Sequence, residues 1–126
     1  SGIIKHRNKY PEKNMVELIK TTVENYLNYI FKLNSNTGPN IIIQGVPCPN
    51  IDTKYIPRKK ILELIDVIRE FNMALKNKSN NLGFGFLDLH KLTDRGDGFS
   101  NTIWHLDTNH LSPEAMHEAW RIYLSQ

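Results

Sequence analysis

The first strong pattern in the chain is a helical one. Between about Pro11 and Leu33, apolar side chains return every three or four positions, which is the spacing of one face of an α-helix. The residues of this face are Met15, Ile19, Val23, Tyr26, Leu27, Ile30 and Phe31. The run Asn-Ser-Asn-Thr-Gly-Pro at positions 34–39 is typical of a turn and predicts the end of the helix.

Two short apolar runs predict β-strands. The run Asn40–Val46 contains three consecutive isoleucines and has a proline on each side. The run Gly83–Leu89 follows a polar break predicted at 77–81, and its glycines allow another element to approach closely. Short apolar runs of this kind favour strands covered on both faces, and hence a parallel sheet.

A second helix is predicted over Pro57–Asn77, between the two strands. Its apolar face consists of Ile61, Leu64, Ile65, Ile68 and Leu75, with Leu62 and Met73 at its flanks. The alternation of strands with a helix indicates right-handed crossovers and an α/β fold.

The last helix carries the clearest start signal. Ser112 suits the N-cap, Pro113 the first helical position and Glu114 the positive end of the helix dipole. The helix should run to about Tyr123, with Ala115, Met116, Ala119, Trp120 and Tyr123 on its buried side. A long loop, His90–Asn109, precedes it, and loops of that length are typically functional or mobile.

A sheet of two strands is small for a complete α/β domain. We expect residues 1–126 to form a single α/β domain that is the C-terminal part of a larger one. The outer edge of the Asn40–Val46 strand should then pair with a second copy in a homodimer, or be covered by Gly2–Tyr10.

Composition narrows the function classes. The chain has 126 residues, 40% of them hydrophobic and 23% charged, as in one globular domain. A net charge of +3 is too small to indicate nucleic-acid binding, and no apolar run has the length of a membrane span. The start of the chain lacks a signal-peptide pattern, and the single cysteine, Cys48, is expected to be a buried, inert thiol, so a cytoplasmic location is favoured.

The candidate chemistry lies in the loop before the last helix. Asp107 and His110 stand three positions apart, so one turn can bring the carboxylate to a ring nitrogen of the histidine. Such a contact fixes the tautomer and leaves the other nitrogen free to accept a proton from a nucleophile, as in a Ser-His-Asp site. We therefore predict Asp107 and His110 as catalytic residues, with no cofactor and no metal.

Other interpretations of the same loop remain open. His110 could be a structural histidine near a helix N-terminus, and Asp107 an ordinary turn carboxylate. His105 could form a metal set with Asp107 and His110, because imidazole and carboxylate groups are suitable ligands. Ser100 is the serine of this loop, but it lacks the strand-turn-helix setting of an exposed nucleophile and is expected to be a loop residue.

The sequence Asp107-Thr-Asn-His110-Leu-Ser-Pro113 resembles the final motif of the SGNH/GDSL hydrolases. Positions 41–47 and 85–89 are similar to the fourth and fifth strands of that family. The resemblance implies a partial flavodoxin-like fold of three layers, with parallel strands and flanking helices. It also implies that Asp107 and His110 are the acid and base of an ester hydrolase.

The resemblance covers only part of the family's motifs. The Gly-Asp-Ser nucleophile block and the Gly and Asn blocks of the oxyanion hole do not occur in these residues. We therefore expect a segment that is inactive alone. Its substrate, if the missing blocks are supplied, would be a small-molecule, carbohydrate or lipid ester. The alternative is a non-catalytic α/β interaction module or a degenerate hydrolase relic.

Overall fold

The computed structural model describes residues 14–34 and 40–126, and its elements follow the predicted order with one addition. In chain order they are α1 (Met15–Asn34), β1 (Ile42–Gln44), α2 (Arg58–Asn81), β2 (Gly85–Leu87), α3 (Leu89–Thr93) and α4 (Pro113–Leu124). The mixture of helices with parallel strands agrees with the predicted α/β class, and the flavodoxin-like layering stays a prediction.

The two strands are parallel neighbours in one sheet, which confirms the prediction. Ile43 lies opposite Phe86, and the pairing continues beyond the strands through Gly45, whose N–H donates to the carbonyl of Leu87 at 2.9 Å. Both strands are shorter than predicted. At Gly85 the close approach expected of a glycine is real, because a Cβ there would meet the phenol ring of Tyr123.

Apolar packing of α1 and α2 on the sheet forms the core. Its buried members are Ile19, Val23 and Leu27 of α1, Val67 and Leu75 of α2, and Phe86 of β2. The prediction that Tyr26 and Phe31 belong to the buried face of α1 is wrong, because Tyr26 is 59% exposed and Phe31 is 47% exposed. The buried face of α1 is narrower than the predicted apolar face. It includes Leu18, which is buried beside Ile19.

The predicted polar break at 77–81 is wrong, because α2 continues through it to Asn81. Ser79 is fully buried and lies four residues after Leu75, on the same helix face. A small side chain can therefore continue a buried face that a hydrophobicity pattern would end. The predicted flanking positions Leu62 and Met73 are about half exposed, at 48% and 51%.

The exit from β1 is fixed by a close contact with α2. A Cβ on Gly45 would lie 2.8 Å from Oδ1 of Asn72 and 2.9 Å from the ring of Phe86, so only glycine fits there. The buried side chain of Asn72 accepts the N–H of Val46 at 2.8 Å and donates to the carbonyl of Val46 at 3.0 Å. The backbone that leaves β1 is thereby held in one path.

Helix α4 begins as predicted. The Ser112 hydroxyl accepts the N–H of Ala115 at 3.2 Å, and Pro113 occupies the first turn. Ala115 and Ala119 are buried, whereas Trp120, predicted on the buried side, is 38% exposed and packs edge-on against Tyr123. The predicted loop 90–109 is wrong at its start, because α3 occupies Leu89–Thr93 with Asp88 as its N-cap.

Within the described residues, no strand pairs with the outer edge of β1. A groove of about 540 Å³ runs beside this edge. It is lined by Thr22, Val23, Tyr26, Ile42, Ile43, Gln44, Val46, Phe71 and Leu75. The expected homodimer stays a prediction, and so does coverage by Gly2–Tyr10, which lies outside the described residues. None of the described helices is both long and apolar enough to cross a membrane.

Candidate functional site

The predicted acid and base lie at the tip of a tight hairpin that ends at α4. The N–H of Ser112 donates to the carbonyl of Trp104 at 2.8 Å, and the N–H of Leu106 donates to the carbonyl of His110 at 2.9 Å. These bonds bring the two sides of the segment 104–112 together directly before the helix. The short loop between Leu106 and His110 reverses the direction of the chain.

Asp107 and His110 are in direct contact. Nδ1 of His110 lies 2.9 Å from Oδ1 and 3.0 Å from Oδ2 of Asp107. Oδ1 of Asp107 also accepts the backbone N–H groups of Asn109 and His110, each at 2.8 Å. The carboxylate thus closes the turn and orients the ring in one arrangement. The prediction that the two groups lie within hydrogen-bonding reach is confirmed.

The electrostatics of the pair favour a proton on Nδ1. The N–H of Asn109 and then the ring of His110 lower the pKa of Asp107 below its ordinary value, so the carboxylate is charged at neutral pH. A charged carboxylate accepts hydrogen bonds and donates none, so the ring nitrogen facing it must carry the proton. No described residue is hydrogen-bonded to Nε2 of His110, and the side chain is 72% exposed. Nε2 is therefore open to a further group.

The pair lies beside the loop that leaves the C-terminal end of β1. Nδ2 of Asn50, in that loop, donates to the carbonyl of Asp107 at 3.1 Å. The carbonyl of the preceding Pro49 accepts the N–H of Ser100 at 3.0 Å. Open α/β sheets bind their ligands at this end of the strands. The two predicted residues therefore lie beside the loop that leaves this end of β1.

Ser100 makes a contact that the sequence analysis missed. Its Oγ lies 2.7 Å from Nδ1 of His105 and accepts the N–H of Thr102 at 2.9 Å. Thr102 has a φ of 65°, in the left-handed region that branched residues rarely enter. Ser100 is only 4% exposed, so its hydroxyl is poorly accessible to a substrate. The contact holds the loop and occupies one of the two ring nitrogens of His105.

Cys48 is buried, as expected. It is 1% exposed; its N–H donates to Oγ1 of Thr93 at 2.8 Å and its thiol to the carbonyl of His90 at 3.4 Å. Burial raises the pKa of the thiol to about 11, so the thiol is protonated at neutral pH. Cys48 does not qualify as a nucleophile.

Two cavities among the described residues do not include the pair in their lining. One cavity of about 710 Å³ lies between α2, β2 and α4, and its lining includes Lys76, Phe86 and Tyr123 but neither Asp107 nor His110. A depression of about 160 Å³ is lined by Asn50 and Ser100, which adjoin the hairpin. His110 lines neither of these two cavities.

Comparisons with known proteins give no further assignment. No family model, no curated protein and no solved structure matches this chain.

Proposed function

We propose that this chain is the acid–base segment of an SGNH-type ester hydrolase. The single observation that supports this most is the contact between Nδ1 of His110 and the Asp107 carboxylate at 2.9 Å, with Nε2 of the ring unpaired among the described residues. A histidine held in this way is prepared to accept a proton from a hydroxyl group. The resemblance of the motif to the last block of the SGNH/GDSL hydrolases supports the same reaction class.

In the proposed reaction, a serine from outside these residues attacks the carbonyl carbon of an ester. Nε2 of His110 takes the serine proton as the new C–O bond forms, and then gives that proton to the departing alcohol as the ester bond breaks. Water attacks the acyl-serine in the same way, which returns the serine and releases the acid. Asp107 stabilises the imidazolium ion and keeps the ring in the productive tautomer. No metal or cofactor takes part.

The proposal requires a partner segment with a nucleophile and oxyanion donors. Ser100 is too buried to serve as the nucleophile, and Cys48 is buried and protonated. We therefore propose that the chain is the C-terminal part of a larger hydrolase domain, whose earlier part carries a serine on a turn after a strand. The proposed substrate class is a small-molecule, carbohydrate or lipid ester.

Two measurements test this proposal. The 126-residue chain should hydrolyse p-nitrophenyl acetate no faster than buffer, because a base without its nucleophile has nothing to activate. The longer natural chain should turn over, and Asp107→Asn should lower its kcat by about 10⁴-fold. His110→Ala should lower kcat at least as far, whereas the exposed His117→Ala should leave it unchanged.

Three outcomes would contradict the proposal. The first is a natural gene that encodes no serine-bearing strand and turn alongside this segment. The second is a longer chain whose esterase activity survives His110→Ala. The third is clear turnover by the 126-residue chain itself, which would mean that a nucleophile is present within it.

A second candidate, a non-catalytic interaction module, is favoured by the groove beside β1. This groove has apolar walls, including Phe71 and Tyr26, next to the β1 edge that pairs with no other strand among the described residues. A second copy of the chain, adding its own β1, is the proposed occupant. Sedimentation velocity should show a dimer that Tyr26→Lys weakens, while Tyr55→Lys, at an exposed site outside the groove, leaves it intact. A wild-type monomer at high concentration would contradict this candidate.

A further inference from the structure

Three metal-binding side chains meet where β1's exit loop contacts α3. Sγ of Cys48, one ring nitrogen of His90 and a carboxylate oxygen of Asp94 all lie within 4.8 Å of one another. Cys48 comes from the β1 exit loop, His90 from α3 and Asp94 from the position directly after that helix. We propose that Cys48, His90 and Asp94 bind one Zn²⁺ ion. This site is separate from the Asp107–His110 pair and does not depend on the proposed hydrolase function.

The positions of the three groups are fixed by the backbone. His90 and Asp94 are four residues apart, a spacing that places both on one side of a helical turn. Thr93 lies between them, and its hydroxyl accepts the N–H of Cys48 at 2.8 Å while it donates to the carbonyl of Leu89 at 2.7 Å. This double contact holds the Cys48 backbone against α3. The ligand set is therefore largely formed before a metal arrives.

His90 and Asp94 both keep bonding capacity that no described residue uses. Nε2 of His90 is buried and has no hydrogen-bond partner among the described residues. A buried imidazole nitrogen without a partner is uncommon in a folded protein and calls for a ligand. Oδ1 of Asp94 accepts the N–H groups of Gly96 and Gly98 at 2.8 and 2.9 Å, which leaves Oδ2 for coordination.

The surrounding charge favours a cation. Asp88 and Asp97 add negative charge near the cluster, and Arg69 is the cation whose field reaches all three ligands. With the Asp94 carboxylate itself, acidic groups outnumber the basic one. Metal binding releases the thiol proton of Cys48 to the solvent, so the bound ligand is a thiolate.

The ligand types select zinc. Thiolate, imidazole and carboxylate together are typical of Zn²⁺, whereas Mg²⁺ and Ca²⁺ prefer oxygen ligands alone. Zinc–ligand bonds of about 2.0–2.3 Å need donor atoms roughly 3.5 Å apart. Because the three ligand atoms lie within 4.8 Å of one another, they must approach by at most about 1.3 Å. Water completes the tetrahedron as the fourth ligand.

Metal binding would fix the start of the segment 94–112, which carries the hairpin of residues 104–112. Asp94 pairs with Ser100 in an antiparallel bridge, Ser100 contacts His105, and His105 pairs with Leu111 across the hairpin. A metal on Asp94 would thus anchor one end of a connected set of contacts. The expected consequence is a higher melting temperature.

The test titrates the metal-stripped chain with CoCl₂ and ZnCl₂. Co²⁺ should bind with one-to-one stoichiometry and give the thiolate-to-cobalt charge-transfer band that reports a sulfur ligand. Zn²⁺ should displace it and raise Tm. Cys48→Ser should abolish the charge-transfer band, and His90→Gln should weaken Zn²⁺ binding by about tenfold or more. The exposed histidine variant His117→Gln serves as the matched control and should bind as the wild type does.

The readouts do not depend on one variant folding well. The wild-type cobalt spectrum needs no substitution, and circular dichroism checks the fold of each variant before titration. A wild-type chain that binds Zn²⁺ only weakly and without stoichiometry would overturn the proposal. Stoichiometric binding without a charge-transfer band, or binding that His117→Gln weakens as much as His90→Gln, would overturn it too.

Discussion

Two regions of this molecule are held together by different forces. The layer formed by α1, α2 and the two strands is held by apolar burial, with Leu27 at 0% exposure in its centre. The region from Asp88 to Ser112 is held by polar contacts, in which side chains such as Thr93 and Asp94 bind backbone groups. The apolar layer is the scaffold of the fold, and the polar region carries the candidate catalytic residues Asp107 and His110. This division lets each region be perturbed separately.

The largest effect should come from a cavity in the apolar layer. Leu27→Ala removes a fully buried side chain from α1 and should lower the free energy of unfolding by about 2–5 kcal/mol. Urea denaturation followed by circular dichroism measures this loss. Leu62→Ala, at a position 48% exposed, is the matched control and should change stability far less. Equal losses at the two positions would show that the core is not where the structure places it.

The next effect should come from one hydroxyl in the polar region. Thr93→Val keeps the side-chain shape but leaves the N–H of Cys48 without its acceptor, so the expected loss is about 1–3 kcal/mol. Thr22→Val is the control, because the Thr22 hydroxyl only donates to the carbonyl of Leu18 in its own helix. The same urea measurement compares them. A neutral Thr93→Val would mean that the polar region is not held by this contact.

A smaller effect is expected at the junction of the hairpin and α4. Ser112→Ala removes the N-cap of α4 and should lower stability by about 1 kcal/mol. The other serine of this helix, Ser125 at its C-terminal end, is exposed and gives the control Ser125→Ala. Thermal melts should give a lower Tm for Ser112→Ala than for Ser125→Ala. If Ser125→Ala lowers Tm as much as Ser112→Ala, the cap does not stabilise this helix start.

The smallest predicted effect is a pH dependence at His105. Burial lowers the pKa of His105 below its ordinary value of 6.5, and the nearby Asp107 only partly opposes this. The unfolded chain therefore binds the proton more readily, so the contribution of His105 is present above pH 6.5 and is lost as the pH falls through the lowered pKa. Tm measured in EDTA between pH 7.5 and 5 should fall less steeply for His105→Gln than for the wild type. His117→Gln should keep the wild-type slope.

The difference between the regions also explains what the sequence could predict. Periodic apolar residues predicted α1, α2, α4 and the parallel pairing of β1 with β2, because burial repeats with the geometry of each element. The pattern failed where a polar side chain is buried, as at Ser79 in α2. It also missed α3, because five residues are too few to show a helical period.

The candidate site was predictable only where its parts are close in the sequence. Asp107 and His110 lie within one turn, so their spacing was enough to predict the contact. The contact of Ser100 with His105 depends on a backbone turn through Thr102 at a φ of 65°. No residue type in this part of the sequence predicts that turn. The approach of Cys48 to His90 joins segments 42 positions apart, and only the folded sheet brings them together.

The most direct test of the proposed function is the tautomer of His110. Nitrogen-15 NMR of the ring at about pH 8.5, where free histidine is neutral, reports which nitrogen carries the proton. The structure predicts a proton on Nδ1, facing Asp107, and its loss from that nitrogen in Asp107→Ala. The exposed His117 provides an internal reference in the same spectrum. A wild-type spectrum with the proton on Nε2, unchanged in Asp107→Ala, would contradict an acid–base pair and with it the proposed hydrolase role.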